Sequence, residues 1–428
     1  MKIVINHLAK MEGHADFIGD IFDGDMAAAK IKTTEGVRLI ESILVGRHYS
    51  DVPIITARIC GICPVVHSLN TIKCIEDAFN LHPSDQTVRL RKLMELCQVI
   101  HSHALHLYFL SMPDFYGVKD DLDFIKNHPT EAQAAINSRQ FALAILEAVA
   151  GRAVHPIACE VGGFKVLPKK KKLQEILGDW EQAMESAMNL VLFASRMPIP
   201  NFYREQEYAC LVNSKEYAIY DGQVKFLSGK IIGANHYGKA IDEYQLLATA
   251  AKRANYKGKS FMVGALARLN INHNRLSPLA KKVVADLKLE FPIYNTFYNV
   301  LAQAIELVHA TETAGLLLKD IIKNLKPEES LAKKLNLIAG ANPLGKVRTG
   351  YSIMEAPRGI LYDMLRIDEN GIIVKADIIT PTVQFLNNIE QDLMTYMPGL
   401  AQMNATEREQ KIRAMIRAYD PCISCATH

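Results

Sequence analysis

The chain has 428 residues, of which 49% are hydrophobic and 22% are charged, so it can bury a sizeable core and is unlike a disordered protein. Its 49 basic and 46 acidic side chains give a net charge of +3, which argues against a nucleic-acid-binding or membrane-binding surface. The start, MKIVINHLAKMEGH, lacks a secretory signal, and no apolar run approaches the roughly 18 residues of a membrane span. We therefore expect a cytoplasmic protein without a membrane span.

The predicted elements are mostly helices. The first part of the chain alternates apolar and polar residues around turn-like Asp23-Gly24 and Glu35-Gly36, which predicts a few strands. Four long segments rich in helix formers follow, and they are apolar on most of their circumference, as in a buried bundle. They are DQTVRLRKLMELCQVIHSHALHLYFL, PTEAQAAINSRQFALAILEAVA, KKLQEILGDWEQAMESAMNLVLFA and NTFYNVLAQAIELVHATETAGLLLKDIIKNL.

Shorter β segments are predicted at YAIYDGQVKFL and at RGILYDMLRIDENGIIVKADIITP, where Glu369-Asn370-Gly371 is typical of a hairpin turn. The sequence contains no internal repeat and no low-complexity linker that would mark a domain boundary. The predicted fold class is therefore mainly α with α+β character. We expect a buried bundle of long helices with small peripheral β-sheets, in a single domain spanning residues 1–428.

Two CxxC pairs lie near opposite ends of the chain. TARICGICPVVHSL contains Cys60 and Cys63, and YDPCISCATH contains Cys422 and Cys425, and each pair is followed by a histidine. Residues i and i+3 share one face of a helical turn, so each pair can present two sulfurs to one centre. If the two ends meet in the fold, four thiolates converge on one metal site.

Zinc is the ordinary metal of four cysteines, or of three cysteines and one histidine. Zinc ribbons place their two pairs roughly 15 to 20 residues apart, whereas about 360 residues separate these pairs. Soft thiolates hold nickel or iron equally well, so zinc stays an open alternative. Asp420-Pro421 has N-cap and N1 character, which predicts Cys422 at the start of a helical turn with a lowered thiol pKa.

These segments resemble the two signatures of the large, catalytic subunit of nickel-iron hydrogenases. The first signature, RxCGxCxxxH, is matched from Arg58 to His67, and the second, DPCxxCxxH, is matched from Asp420 to His428. Three further elements, MEGH at 11–14, GVRLIESILVGR and EAPRG at 355–359, resemble family segments in the same order. The resemblance thus covers the whole chain.

The resemblance implies an enzyme that cleaves H2 reversibly and heterolytically at a nickel-iron centre whose iron carries carbon monoxide and cyanide. By position, Cys60 and Cys422 would be the terminal nickel ligands, and Cys63 and Cys425 the bridges to iron. Glu12 would relay protons from a terminal cysteine. Heterolytic cleavage needs a metal pair that takes hydride and a base that takes the proton, and a metal-bound thiolate followed by a carboxylate can supply that base.

Other residues are assigned by the same resemblance. Arg358 would lie beside the metals, and Thr382 would donate a hydrogen bond to a cyanide. His67 is expected to orient a bridging sulfur rather than to ligate a metal.

A second metal site is implied at the C-terminus. Glu41, His428 and the backbone carbonyl near Ile378 would hold magnesium or iron there, which suits the oxygen ligands that magnesium prefers. In this family a maturation protease removes a C-terminal extension just after the equivalent of His428, so the ending ATH resembles a processed chain.

The chain has no motif for an electron acceptor of its own, because no GxGxxG follows a predicted strand and GANPLGK at 340–346 lacks the Ser or Thr of a phosphate-binding loop. The electrons must therefore pass to another subunit. The resemblance implies an iron-sulfur small subunit and further electron-transfer subunits of flavin and NAD(P), deazaflavin or heterodisulfide-reductase type. The alternatives are a complex I-like electron-transfer scaffold, a relative that lacks the four cysteines, and a structural zinc protein.

The chain also departs from the family pattern. Ser102 stands where many members have an aspartate, which removes any proton route that needs that carboxylate. Four further cysteines match no ligand motif, and we interpret them as ordinary buried thiols. They are Cys74, Cys97, Cys159 and Cys210.

Overall fold

The computed structural model describes residues 1–22, 27–118, 120–247, 249–328, 330–331 and 346–428. Over these ranges the chain is mainly helical with small sheets, which confirms the predicted fold class. No helix in these ranges is long and apolar enough to cross a membrane. All of GANPLGK except Lys346 lies outside the described residues. The single domain over 1–428 stays a prediction.

The helices, in chain order, are α1 (Ile40–Leu44), α2 (Val52–Thr56), α3 (Pro64–Phe79), α4 (Asp85–Leu105), α5 (Met112–Phe115), α6 (Asp121–Asn127), α7 (Pro129–Ala150), α8 (Lys170–Leu177), α9 (Trp180–Ala194), α10 (Ala234–Ala240), α11 (Ala265–Asn272), α12 (Pro278–Asp286), α13 (Tyr298–Asn324), α14 (Pro381–Tyr396), α15 (Ala405–Ala418) and α16 (Ile423–Ala426). A π-helical turn, His106–Ser111, continues α4.

The strands are β1 (Lys2–Ile5), β2 (Ala15–Ile21), β3 (Ala27–Thr33), β4 (Cys159–Glu160), β5 (Gly163–Phe164), β6 (Glu207–Val212), β7 (Gln223–Phe226), β8 (Ile231–Ile232), β9 (Ile241–Gln245), β10 (Lys252–Tyr256), β11 (Phe261–Met262), β12 (Arg348–Ala356), β13 (Gly359–Ile367) and β14 (Ile373–Ile379). They form sheets in the orders β1-β2-β3, β11-β6-β7-β8 and β12-β13-β14, and the pairs β9-β10 and β4-β5.

Four of the long helices form the predicted bundle. Helix α4 packs against α7 and α13, and α9 packs against the same two helices. Ser84 caps α4 by accepting a hydrogen bond from the Thr87 amide. The prediction of one continuous helix over KKLQEILGDWEQAMESAMNLVLFA is wrong. The helix is interrupted at Gly178, between α8 and α9, because glycine costs about 1 kcal/mol in a helix interior.

The hairpin β12–β13 carries the EAPRG element. The two strands pair in antiparallel register up to Ala356 and Gly359, so Pro357 and Arg358 form the turn. Helix α3 packs on both strands, and its N-terminus directly follows Cys63. The predicted hairpin β13–β14 is confirmed, whereas the predicted strand YAIYDGQVKFL is limited to β7.

The C-terminal segment lies inside the protein. Residues 414–428 are buried apart from half-buried Ser424, and α16 packs against α14. The N-terminal part of the chain covers this segment on another side, because Glu12 and Cys422 form a parallel β-bridge and the Arg38 amide donates to the Thr427 carbonyl at 2.7 Å. The fold therefore brings both ends of the chain to one place.

Candidate metal centre

The two cysteine pairs meet in the core. The four Sγ atoms lie within 4.8 Å of one another, and all four side chains are buried. Cys60 and Cys422 are 3.5 Å apart and Cys63 and Cys425 are 3.7 Å apart, measured between sulfurs. Among the described residues, this is the one group of three or more His, Cys, Asp or Glu side chains close enough to share a metal.

The local backbone geometry positions the sulfurs of Cys60 and Cys63. The amides of Ile62 and Cys63 point at the Cys60 sulfur at 3.3 and 3.4 Å, so the loop turns around that sulfur. Pro64 then starts α3 at once, because proline suits the first helical position. The second pair lies on the short helix α16, with Cys422 as its N-cap and Cys425 three residues later.

The four thiols have unequal acidity. Hydrogen bonds from Cys422, Cys425 and Cys63 hold the pKa of Cys60 well below its usual value. Burial raises the pKa of Cys422 well above it, so the predicted lowering at Cys422 is wrong. Its helix has a single turn, and desolvation of a fully buried thiolate outweighs the dipole of so short a helix. A soft cation that binds all four sulfurs would favour the deprotonated forms.

Glu12 contacts the centre from the N-terminal segment. Its Oε2 lies 3.1 Å from the Cys422 sulfur and accepts a hydrogen bond from the Ser424 amide at 3.0 Å. Gly13 permits this approach, since it has φ of +82° and an added Cβ would lie 2.7 Å from Cβ of Ile423. Glu12 is half-buried, so its carboxylate lies between the buried thiol and the surface of the chain.

Arg358 enters from the β12–β13 turn. Its Nη2 pairs with Oδ1 of Asp420 at 2.9 Å, and its Nε donates to the Asp420 carbonyl at 2.8 Å. The side chain is buried, yet its Nη1 has no hydrogen-bond partner among the described residues. A buried unpaired donor is costly, so this nitrogen has the chemistry expected beside a bound group with acceptor atoms.

Thr382 and His67 also contact the cysteines. The Thr382 hydroxyl oxygen accepts from the Cys422 amide at 3.0 Å, which leaves its O–H free to donate. His67 Nε2 lies 3.5 Å from the Cys425 sulfur, and burial lowers the pKa of His67 to about 4. The imidazole is therefore neutral near pH 7 and has one N–H that can be given to a sulfur.

Glu41 and His428 meet at Ile378. Glu41 accepts from the Ile378 amide and from Lys252, both at 2.9 Å, whereas His428 Nε2 lies 2.7 Å from the Ile378 carbonyl oxygen. His428 Nδ1 faces another carbonyl, of Cys425, at 2.6 Å. A neutral imidazole has one N–H, so one nitrogen presents a lone pair to an oxygen lone pair. A cation bound by that nitrogen would use its lone pair and remove that conflict.

Other predictions have mixed outcomes. The four unmatched cysteines are buried and outside the sulfur group, and burial raises the pKa of Cys159 to about 12. Ser102 is buried on α4, and no described residue bonds to its hydroxyl.

The sequence interpretation missed Arg38, which donates to the carbonyls of Arg58 and Ser424 at 2.8 and 3.3 Å and so joins the two cysteine segments. Arg38 lies inside GVRLIESILVGR, one of the segments that resemble the family, and this position could have marked it as a candidate site residue.

Comparisons with known proteins agree with this geometry. The family described as nickel-dependent hydrogenase matches residues 38–188 and 201–428. The chain is 32% identical over 432 residues to sulfhydrogenase 2 subunit alpha of Pyrococcus furiosus, covering 100% of this chain and 99% of that relative. It is 26% identical over 484 residues to NAD-reducing hydrogenase HoxS subunit beta of Cupriavidus necator, covering 100% and 94%.

The fold has solved counterparts as well. The crystal structure of an NAD+-reducing NiFe-hydrogenase in the H2-reduced state superposes with a TM-score of 0.87 at 24% identity, covering 100% of this chain and 99% of that one. The family match and the sequence relatives decide against a structural zinc protein as the class of the chain. The chain belongs to the nickel-dependent hydrogenases, as a large, catalytic subunit.

Proposed function

We propose that this chain is the subunit in which H2 is reversibly split into protons and electrons, at a nickel-iron centre held by the four thiolates. The observation that carries the proposal is the buried cluster of four sulfurs, drawn from both ends of the chain, within 4.8 Å of one another. When bound, a nickel-iron pair supplies Lewis-acid and redox chemistry that these side chains lack.

The cysteines would divide the two metals between them. Cys60 and Cys422 would be terminal nickel ligands, and Cys63 and Cys425 would be shared with iron. The low pKa of Cys60, which its three cysteine neighbours cause, supports a thiolate ready for a metal. His67 would orient Cys425 through its single N–H, and the 3.5 Å distance supports that role.

Protons would leave through Glu12. The Cys422 sulfur lies 3.1 Å from the Glu12 carboxylate oxygen Oε2, so a proton on that sulfur could transfer directly. The Ser424 amide holds that carboxylate in place, and Glu12 is half-buried, so it can pass the proton outwards.

Arg358 and Thr382 would act as fixed hydrogen-bond donors beside the iron, on which the family resemblance implies carbon monoxide and cyanide. The unpaired Arg358 Nη1 and the free O–H of Thr382 support this assignment. Preorganised donors in a water-excluded site stabilise charge without reorganising during the reaction.

Glu41, His428 and the carbonyl of Ile378 would hold magnesium or iron. The two carbonyl contacts of the His428 ring support a cation at this place. Such an ion would tie the last residue to α1 and β14 and thereby keep Cys422 and Cys425 at the centre.

Electrons would pass to an iron-sulfur small subunit, and from it to flavin and NAD(P), deazaflavin or heterodisulfide-reductase subunits. Arg58 and Gly61 are exposed beside buried Cys60, which supports this face as the exit for electrons. The names of the relatives, subunit alpha and subunit beta, support a multi-subunit assembly. We further propose a cytoplasmic location, a maturation protease as a partner, and no nucleic-acid partner.

Metal analysis and infrared spectroscopy test the proposal. The assembled enzyme, isolated anaerobically from its native host, should contain nickel and iron and show infrared bands of carbon monoxide and cyanide. Zinc without nickel would contradict it. Hydrogen uptake that persists in Cys422→Ser would instead favour a non-catalytic, complex I-like electron-transfer scaffold or show that Cys422 is wrongly assigned as a ligand.

A further inference from the structure

Arg268 is a buried arginine whose hydrogen bonds are all made inside the protein. It lies on α11 and is 1% exposed. Nε and Nη2 form a bidentate pair with Glu306 at 2.6 and 2.7 Å, and Nη1 donates to Glu355 at 2.8 Å. The remaining two N–H groups donate to backbone carbonyls, so all five donors of the guanidinium are used.

Those two carbonyls belong to the turn that carries Arg358. Nη1 donates to Ala356 O at 3.0 Å, and Nη2 donates to Pro357 O at 2.9 Å. The turn also packs closely on the segment before α11, because a Cβ on Gly264 would lie 3.0 Å from the Arg358 carbonyl oxygen. The backbone on both sides of the Arg358 side chain is thus set by α11 and the residue before it.

Helix α13 supports both ends of this arrangement. Glu306 on α13 binds Arg268, and one turn earlier Gln303 donates to Asp420 Oδ2 at 3.1 Å. Asp420 in turn binds Arg358 at 2.9 Å. One rigid helix therefore fixes the turn from which Arg358 projects and also the carboxylate that its guanidinium contacts.

We propose that Arg268 is a positioning residue for hydrogen cleavage, which acts by holding the Pro357-Arg358 turn so that Nη1 of Arg358 faces the metal centre. Among the described residues, the hydrogen bonds of Arg268 go to two carboxylates and two carbonyls, and none goes to a cysteine of the centre. This inference rests on the proposed role of Arg358. A planar fork that binds one carboxylate bidentately and two carbonyls at once has no equivalent in lysine.

Arg268→Lys in the assembled enzyme is the test, with Arg91→Lys as its matched control. Arg91 is also buried, also pairs bidentately with a carboxylate, that of Glu76 at 2.7 and 2.8 Å, and also binds a carbonyl, that of Glu160 at 3.0 Å. Both variants should lower the melting temperature and keep their nickel. We expect kcat for H2 to fall by about 100-fold in Arg268→Lys with KM unchanged, because a displacement of about 1 Å can have that effect.

The Arg91→Lys control should keep the parent kcat. In Arg268→Lys the infrared bands of carbon monoxide and cyanide should shift in the same direction as in Arg358→Lys, and the control should keep the parent bands. If Arg268→Lys and Arg91→Lys lose kcat equally, Arg268 only stabilises the folded core, and the proposal is overturned.

A double-mutant cycle separates this inference from the role of Arg358. If Arg268 acts through Arg358, adding Arg268→Lys to Arg358→Lys should slow the enzyme no further. Multiplied losses would overturn the positioning role while leaving that of Arg358 intact. An Arg358→Lys variant with the parent kcat would refute the role of Arg358 and the inference together, while nickel and hydrogen uptake in the parent would still support the proposed function.

Discussion

Cys60 and Cys422 are 362 positions apart in the sequence, and their sulfur atoms are 3.5 Å apart in the fold. The contact depends on a buried C-terminal segment that the Glu12 bridge and α14 hold on different sides. Each end of the chain supplies half of the thiolates, so the centre can form only when both ends are in place.

Removing one sulfur should prevent metal binding. We expect Cys60→Ser to lose nickel and hydrogen uptake, because a hydroxyl is a poor ligand for a soft metal and three thiolates leave one position unfilled. Nickel content of the purified complex measures this. Cys97→Ala is the control, since Cys97 is fully buried outside the sulfur group and should keep its nickel. Full nickel content in Cys60→Ser would remove that residue from the ligand set.

Replacing Glu12 should slow proton release more than hydrogen cleavage. In Glu12→Gln the amide cannot accept a proton from Cys422, so we expect kcat to fall by about 100-fold to 10,000-fold, the usual range for a lost general base. Exchange of H2 with deuterium from solvent should fall equally, whereas conversion of para-H2 to ortho-H2, which needs no proton exit, should continue.

The control for Glu12→Gln is Glu147→Gln, on the exposed face of α7, which should behave as the parent. If para-H2 conversion stops together with solvent exchange, Glu12 does more than carry protons away from the sulfur.

Two glycines with nearly equal φ provide a test of the close packing at Glu12. Gly46→Ala, with φ of +83° and open space around the new Cβ, should cost about 1 to 2 kcal/mol of folding free energy and leave activity unchanged. Gly13→Ala has φ of +82° and meets Ile423 at 2.7 Å, so it should be more destabilising and also slow the enzyme. Chemical denaturation and hydrogen uptake measure both variants, and equal effects would show that the contact between Gly13 and α16 is unimportant.

The C-terminal histidine should be needed for a second metal. We expect His428→Ala to lose one equivalent of magnesium or iron and to expose the C-terminal segment to proteases, because the ring joins the carbonyls of Ile378 and Cys425. Metal content and limited proteolysis are the measurements. His236→Ala changes an exposed histidine and should alter neither. Unchanged magnesium and iron in His428→Ala would rule out its role as a ligand.

Local sequence patterns predicted the helices and strands better than they predicted the burial of individual side chains. Helices α4, α7 and α13 follow from helix formers and from apolar residues around most of the helix, which are properties of neighbouring residues. The break at Gly178 was missed, because a single glycine is tolerated in many helices. The lowered pKa expected for Cys422 was wrong because burial, which no local pattern encodes, outweighs the dipole of a one-turn helix.

Residue types and short spacings specified the candidate ligands: two cysteines three residues apart, twice, with a carboxylate and an arginine in recognisable motifs. Long-range packing brought the four sulfurs to one site, paired Arg358 with Asp420, and placed Arg268 within hydrogen-bond distance of the turn that carries Arg358. The difference arises from separation along the chain. A spacing of three residues is set by backbone geometry, whereas contacts across hundreds of residues depend on how the bundle and the sheets pack.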